Sequence, residues 1–303
     1  MKPTIKAPLY GALFALSAAA LNATIGTFSK VLMQHGLSPG TIAFSKTMIG
    51  ALILVLLMPF LKMTSPRSKW YQVAICAFFG IFAMYMFETQ AYAHDSAANV
   101  VVALMASACI TTIVLGYFFL GEKINAATVI GALLAIAGLS VILGVKFNSG
   151  FNATGTILAI CAGTGYGLFS IFMKKTGLQG GLILTRQLLI YGSVFLFVPV
   201  AIEQPAPFDL SYIVIGCLLG LAILPTILGF YCTTKAIQYL TPSKVQILEL
   251  SEPVFAALMA LVFLRELPGL STWIGGTIII LGISIANGLL RLPVRTRSSV
   301  SAV

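Results

Sequence analysis

Charged residues are scarce in this sequence. Asp, Glu, Lys and Arg together make up 9% of the 303 residues, whereas hydrophobic residues make up 59% and the mean hydropathy is +1.02. A soluble globular domain carries about 25% charged residues. The composition therefore excludes an ordinary soluble domain and indicates an integral membrane protein. The excess of basic residues does not indicate a nucleic-acid partner, because their positions follow membrane topology, as shown below.

Side chains for metal or covalent chemistry are also few. The two histidines, His35 and His94, have no second histidine or carboxylate at ligand spacing, so no metal site is predicted. The five cysteines lie within apolar runs without CxxC spacing, which favours small core residues over metal or disulfide roles. The sequence contains no Walker A loop and no nucleophile–base arrangement. We therefore predict no cofactor and no enzyme, and energy would come from an ion gradient or from exchange.

Long apolar runs fill nearly the whole chain. A helix that crosses a bilayer needs roughly 20 mostly apolar residues. Turn signals separate ten such runs, and no connection is long enough for a soluble domain. The sequence thus predicts an all-α membrane protein with ten transmembrane helices at 8–33, 40–61, 70–92, 97–119, 125–144, 152–173, 182–202, 211–235, 242–264 and 269–290.

One stretch of the chain has a similar counterpart later in the sequence. Residues 120–142 align with residues 264–286 at a shift of 144 positions, and eight of the 23 positions are identical, including Glu122 with Glu266. Internal repeats of this kind mark a duplicated structural unit. We predict two five-helix repeats, one at 1–146 and the other at 147–303, the second ending in a short cytoplasmic tail.

Basic residues fall mostly on one side of the predicted helices. With the N-terminus in the cytoplasm, 13 of the 18 lysine and arginine residues, Lys174 among them, lie on the cytoplasmic side. Two lie within spans, Lys46 and Arg186, and three lie outside, Lys30, Lys146 and Arg265. The positive-inside rule then places both termini in the cytoplasm.

Five spans per repeat is an odd number, so the second repeat crosses the membrane in the opposite sense to the first. Inverted-topology repeats of this type build transporters, with the substrate site near mid-bilayer at the repeat interface. The repeat and the topology together therefore predict a carrier.

Three passages carry a family resemblance. They are Leu250-Ser-Glu252-Pro253 followed by Phe263-Leu-Arg-Glu266, Phe119-Leu-Gly-Glu122 with the glycine-rich span after it, and the basic residue in the second helix of each repeat. With these passages the chain resembles the drug/metabolite transporter superfamily, specifically the ten-helix type with two EamA repeats. The first repeat departs from the pattern, because it has Ala108-Cys109 where the second has Glu252-Pro253.

The resemblance implies a carrier for small metabolites, often an exporter, in a bacterial-type plasma (inner) membrane. It implies action without a partner protein, as a monomer or a homodimer. It also implies a cavity lined by the first four helices of each repeat. The fifth helices would pack the halves together through Gly131, Gly138, Gly275, Gly276 and Gly282.

Charged residues within the spans are the first candidate functional residues, because such charges are costly and face a cavity or a partner. Their depths suggest two opposite-charge pairs, Lys46 with Glu88 towards the outside and Arg186 with Glu249 towards the inside. These pairs are alternating gates, or one binds substrate while the other relays protons, or both are static. Both cations lie near helix ends, so snorkelling to the surface is a further explanation.

Glu252 also belongs to the candidate set, although Pro253 gives it a structural explanation. Proline has no N–H group to donate, and this would permit a kink in the helix.

Polar and aromatic residues in the same segments complete the set: Asn22, Tyr85, Tyr92, Tyr166 and Tyr231. A cavity that mixes aromatic with polar groups suits a small amphipathic solute. We predict a secondary active transporter, an exporter, for an amino acid or a related zwitterion or organic anion, working by alternating access with proton coupling or exchange. An organic-cation or drug transporter is one alternative, and a membrane enzyme or lipid-processing protein is another.

Overall fold

The computed structural model describes residues 6–61, 68–144, 153–203, 211–259, 261, 269–288 and 290. This described part is all-α and contains no strand. Polar side chains begin several of its helices: Ser38, Ser96, Asn125 and Ser211 each accept a hydrogen bond from a backbone N–H in the first turn. The sequence therefore marks where the apolar helices start.

The described residues form ten helical units, numbered here in chain order. The first five are α1 (Lys6–Asn22 and Ile25–Gln34), α2 (Pro39–Leu57), α3 (Trp70–His94), α4 (Ala97–Leu120) and α5 (Ala126–Ile142). The second five are α6 (Ala153–Thr176), α7 (Leu182–Glu203), α8 (Tyr212–Tyr239), α9 (Pro242–Glu249 and Glu252–Met259) and α10 (Leu270–Ala286). These units match the predicted spans to within a few residues, as far as the described residues reach.

Seven of these helices in the described part are long and apolar enough to cross a membrane, namely α1–α4 and α6–α8. The helices α5 and α10 are apolar but have only 17 residues each. The helix α9 is interrupted at Leu250 and Ser251, one turn after Gln246. The chain is thus an all-α membrane protein in which α5 and α10 are short and α9 is interrupted.

Helix packing follows a two-fold pattern between the halves. The helices α2 and α7 pack against each other, as do α5 and α10. The contacts of α6 with α3 and α4 are matched by those of α1 with α8 and α9. In addition, α3 and α8 each contain a π-helical segment, Phe78–Ala83 and Ala222–Gly229, whose starts are 144 residues apart. The repeat seen in the sequence is therefore a structural repeat, down to its irregular turns.

The α5–α10 contact joins the two halves through glycine. A Cβ atom added to Gly138 would lie 2.6 Å from the carbonyl oxygen of Gly275, so only glycine allows this approach. Gly131 and Gly282 meet in the same way, which confirms the predicted packing role of these four residues. Gly276 differs, because a Cβ there would meet only Val254 at 3.8 Å.

Candidate functional site

A buried ion pair lies between α2 and α3. Lys46 Nζ is 3.6 Å from Glu88 Oε2, and the two side chains are 1% and 5% exposed. The same Nζ atom lies 3.7 Å from the centre of the Tyr85 ring. The predicted pairing of Lys46 with Glu88 is therefore present, and burial excludes snorkelling for Lys46. Neither Lys46 Nζ nor Glu88 Oε2 has a hydrogen-bond partner among the described residues.

A second buried carboxylate, Glu249, is held by neutral donors. Tyr166 Oη donates to Glu249 Oε2 over 2.8 Å, and Thr233 Oγ1 donates to Oε1 over 2.9 Å. Gln246 Nε2 donates to Oε2 over 3.3 Å. These donors come from α6, α8 and α9, so Glu249 ties together three helices of the second repeat.

The predicted ion pair of Arg186 with Glu249 is absent from the described structure. Arg186 is half-buried, and its Nε atom has no hydrogen-bond partner among the described residues. Its helix α7 packs mainly on α2 and α3, whereas the first segment of α9 packs mainly on α1 and α4; both also contact α8. Similar depth along the chain therefore did not bring these two side chains together, and that prediction of a pair was wrong.

Glu252 lies directly after the interruption of α9. Pro253 has no N–H to donate to the carbonyl one turn earlier, which explains the interruption of α9. Glu252 is 6% exposed, its Oε2 atom has no hydrogen-bond partner in the described part, and it lies within electrostatic range of Glu88 and Glu249. A buried carboxyl group without a cation beside it is costly as an anion.

The remaining predicted residues divide into two groups. Tyr92 lies within electrostatic range of Glu88 and Glu252, so it belongs with the charged cluster. Asn22 ends the first segment of α1 beside Gly229 of α8, at the edge of the cluster. Tyr231 instead packs its ring on Phe14, with centroids 5.9 Å apart, on the side of α8 that faces α1.

Polar residues that the sequence analysis did not single out complete the cluster. Thr233 and Gln246 bind Glu249, and the buried Thr226 Oγ1 lies near Tyr85 without a hydrogen-bond partner of its own among the described residues. The signal for Gln246 was its position three residues before Glu249, which places both on one helix face. We call Lys46, Tyr85, Glu88, Tyr92, Tyr166, Thr226, Thr233, Gln246, Glu249 and Glu252 the central cluster.

The charge balance of the central cluster is uneven. Within the described structure it contains one lysine and three carboxyl groups, Glu88, Glu249 and Glu252. Buried carboxylates require a cation, hydrogen bonds or a proton. The cluster can therefore accept additional positive charge, either as protons or as a cationic group of a ligand.

Another polar contact joins the repeats at the face where α4 ends and α9 begins. The helix α4 is followed by Gly121, whose φ of 66° lies in the left-handed region that favours glycine. This turn places Glu122 where Ser243 Oγ donates to its Oε2 atom. Burial raises the pKa of the Glu122 carboxyl, while hydrogen bonds from Ser243 and Thr241 and the charges of nearby lysines oppose that rise. A cavity of about 330 Å³ opens beside Glu122.

Two lysines at equivalent positions close helix ends. Lys30 Nζ donates to the carbonyl oxygens of Tyr92 and Asp95, over 2.5 and 2.8 Å, at the end of α3. Lys174, 144 residues later, donates in the same way to Ile237, Gln238 and Leu240 at the end of α8. These lysines satisfy carbonyl groups that a helix end leaves free.

Comparison with known proteins agrees with this architecture. Residues 9–144 and 153–288 each match the EamA-like transporter family. The chain belongs to that family. The two matches are offset by 144 residues, the same shift as the repeat in the sequence, so the chain has two EamA repeats and is a multi-pass membrane transporter.

Relatives carry the same general description. The chain is 27% identical over 251 residues to the uncharacterized transporter YvbV of Bacillus subtilis (strain 168), covering 80% of each chain. It is 24% identical over 288 residues to an uncharacterized transporter of Clostridium kluyveri, covering 91% of this chain and 92% of that one. A solved crystal structure superposes with a TM-score of 0.78 at 18% identity, covering 92% of this chain and 96% of that chain, which shows a shared fold.

Proposed function

We propose that this transporter is a secondary carrier for a small metabolite with an ammonium group, an amino acid or a related zwitterion first. The observation that carries the proposal is the central cluster, which contains one lysine and three buried carboxyl groups where the two repeats meet. A substrate ammonium group would supply the missing positive charge. The same deficit disfavours an organic anion, because the one lysine of the cluster already pairs with Glu88.

Aromatic rings around the carboxyl groups support the same substrate class. The Tyr85 ring packs against Phe230 with centroids 5.8 Å apart, and Phe169 lies between Phe230 and Tyr166. Aromatic faces attract ammonium groups, and the attraction grows when the site is dry. The combination of carboxylate and aromatic face suits an amine better than a phosphate.

Proton coupling follows from competition for the same carboxyl groups. Glu252 and Glu249 lie in electrostatic range of each other, and neither has a lysine or arginine as an ion-pair partner in the described structure. A proton on these carboxyl groups and a substrate ammonium group in the cluster would each reduce its excess of negative charge, and each would disfavour the other. This competition is what an antiporter requires, so we propose export of the substrate in exchange for protons by alternating access.

The proposed setting is a bacterial-type inner membrane with both termini in the cytoplasm, as the distribution of lysine and arginine supports. Division of the chain near residue 146 is supported by the family matches, which end at residue 144 and resume at residue 153. In this orientation Glu122 and Ser243 lie at the cytoplasmic face. The proposed working unit is a monomer or a homodimer.

An organic cation is the second candidate substrate. The specific observation in its favour is the pairing of Glu88 with the Tyr85 ring around a single cation, Lys46. Such a site recognises an ammonium group without any need for a substrate carboxylate.

Matched substrate triplets test the proposal. Purified protein in liposomes is assayed by counterflow with an amino acid, the amine left by its decarboxylation, and the acid that lacks its amino group. We expect transport of the zwitterion, and loss of that transport in Glu249→Gln protein that remains folded. Transport of the amine alone would favour the organic-cation candidate, and transport of the acid alone would exclude both. Product analysis of the same samples detects any chemical change and so tests the enzyme alternative.

A further inference from the structure

Lys46 is held differently from the two structural lysines of this protein. Lys30 and Lys174 each donate to two or three backbone carbonyl oxygens at 2.5–3.2 Å. Lys46 Nζ makes a 3.6 Å ion pair with Glu88 and lies over the Tyr85 ring, but has no hydrogen-bond partner among the described residues. An ammonium group can donate three hydrogen bonds. Lys46 is therefore buried with one long contact to a carboxylate and no contact to a backbone carbonyl, which does not fit a helix clamp.

The groups around Lys46 Nζ form a recognition site for an alkylammonium ion. They are a carboxylate, Glu88, and the face of a buried aromatic ring, Tyr85, which are 3% and 2% exposed as residues. Carboxylates and aromatic faces attract primary ammonium groups whatever molecule carries them. The end of a lysine side chain is chemically a butylammonium group, so Lys46 and an amine ligand present the same group to this site.

We propose that Lys46 is a tethered stand-in for the substrate: it occupies the Glu88–Tyr85 ammonium site in the empty carrier, and an ammonium-bearing substrate displaces it. The inference rests on the proposed function for the class of substrate. It adds the location of the ammonium site and gives Lys46 the role of an internal competitor. Lys46 is 0% exposed in this closed conformation, so its long, flexible stem would carry the ammonium group away once the surrounding helices open.

This arrangement has a consequence for the transport cycle. Without Lys46, an empty site would leave Glu88 as an uncompensated buried carboxylate, which opposes closure of the helices around it. Lys46 provides that charge, and the described conformation is closed over the pair. The carrier without substrate can therefore close over a neutralised Glu88, and it returns while Glu249 or Glu252 carries the exchanged proton.

Binding of butylammonium tests the proposal directly. Lys46→Met keeps a side chain of similar length but removes the charge, and Lys46→Arg is the matched control that keeps it. At pH 8.5, where protons compete weakly, we expect Lys46→Met to bind butylammonium at least tenfold more tightly than wild type, by calorimetry or by thermal shift. Lys46→Arg should show no gain, and Glu88→Gln in the Lys46→Met protein should abolish it. An equal affinity in wild type and Lys46→Met would overturn the proposal.

Instability of the Lys46→Met protein does not remove the test. In that case its yield and melting temperature are compared in butylammonium chloride and in sodium chloride at equal ionic strength. Rescue by butylammonium that depends on Glu88 supports the ammonium site. Equal behaviour in the two salts contradicts it.

Transport assays separate this inference from the proposed function. In liposomes, Lys46→Met should lower net efflux into substrate-free buffer by a larger factor than it lowers counterflow, whereas Lys46→Arg should change both by the same factor. If Lys46 instead binds a substrate carboxylate, Lys46→Met loses amino-acid binding and gains no butylammonium binding, which overturns the inference alone. If wild type moves no ammonium-bearing solute, the proposed function fails, while the butylammonium result still decides the role of Lys46.

Discussion

Gly131 of α5 lies against the backbone of Gly282 of α10, and a Cβ atom on Gly131 would be 2.5 Å from the Gly282 carbonyl oxygen. The relationship is reciprocal, because a Cβ on Gly282 would be 2.6 Å from the Gly131 carbonyl oxygen. Close contacts between helix backbones drive helix association in a bilayer. Apolar side chains there are already out of water, so the hydrophobic effect does not bring helices together. This contact therefore holds the two repeats together at their fifth helices.

Gly131→Ala should loosen this contact. The added methyl group meets backbone atoms, which cannot rotate away, so the helices must separate. Overpacking of this kind costs about 1–3 kcal/mol. We expect a lower melting temperature in detergent for Gly131→Ala and for Gly282→Ala. Gly216→Ala is the matched control, since a Cβ there meets nothing within 4 Å. An equal melting temperature for all three variants would contradict the packing argument.

Lys174→Met should destabilise the end of α8. Its Nζ atom donates to three carbonyl oxygens there. A hydrogen bond that involves a charged group stabilises the folded state by about 1.5–3 kcal/mol, and the variant removes these bonds. Lys30→Met should act similarly at the end of α3. The control is Lys175→Met, because Lys175 is exposed and only lies over the Phe119 ring, at 4.5 Å. Unfolding in detergent measures all three, and an effect of Lys175→Met as large as that of Lys174→Met would argue against helix capping.

The helices were predictable because lipid leaves the backbone no other partner. Backbone N–H and C=O groups in a bilayer must be bonded within the protein, and an apolar run of about 20 residues achieves this as a helix. The span predicted at 70–92 is the helix Trp70–His94, and the shift of 144 recurs in the family matches. These features depend on composition along the chain, which the sequence displays directly.

The neighbours of each charge were less predictable, because they depend on how each helix is rotated and packed. The π-helical segment Phe78–Ala83 rotates the following part of α3 and so changes the direction in which Glu88 points. No residue pattern in the segment predicts a π-helix. Arg186 and Glu249 have suitable depths but lie on helices that pack in different places. The sequence predicted Lys30 and Lys174 only as charges outside the bilayer. In the fold each of them donates to carbonyl oxygens at the end of another helix.

Glu122 should make stability depend on pH. Burial raises its pKa above the ordinary value of 4.5, so the folded protein holds this proton more tightly than the unfolded chain. Stability from this group is then fully present below about pH 4.5 and is lost as pH rises through the raised pKa. We expect the melting temperature of wild type, relative to Glu122→Gln, to fall as pH increases from 4 to 8.

Ser243→Ala provides the companion measurement. Its hydroxyl donates to the Glu122 carboxylate and opposes the rise in the pKa, so its removal should extend the loss of stability to higher pH. A difference between wild type and Glu122→Gln that stays constant over the whole pH range would show that Glu122 does not titrate differently in the folded state.

Tyr166→Phe should expose the dependence of Glu249 on neutral donors. The variant keeps the ring that stacks on Phe169 but removes the hydroxyl that donates to Glu249 Oε2 over 2.8 Å. A buried carboxylate that loses a donor is destabilised by about 1–3 kcal/mol. Thr233→Val removes the donor to the other oxygen and should have an effect of similar size.

The double variant reveals whether these donors act through one group. If both stabilise the same ionised carboxylate, the combined loss should differ from the sum of the single losses by more than about 0.5 kcal/mol, because residues in one hydrogen-bond network are coupled. In a Glu249→Gln background both effects should shrink, since a neutral amide needs fewer donors than a carboxylate. Tyr117→Phe is the control for loss of a tyrosine hydroxyl, as Tyr117 is 53% exposed. Tyr166 Oη and Thr233 Oγ1 also lie 3.1 Å apart and can couple directly, so the Glu249→Gln background decides the question. Losses that persist unchanged in Glu249→Gln would mean that Tyr166 and Thr233 stabilise the fold independently of this carboxylate.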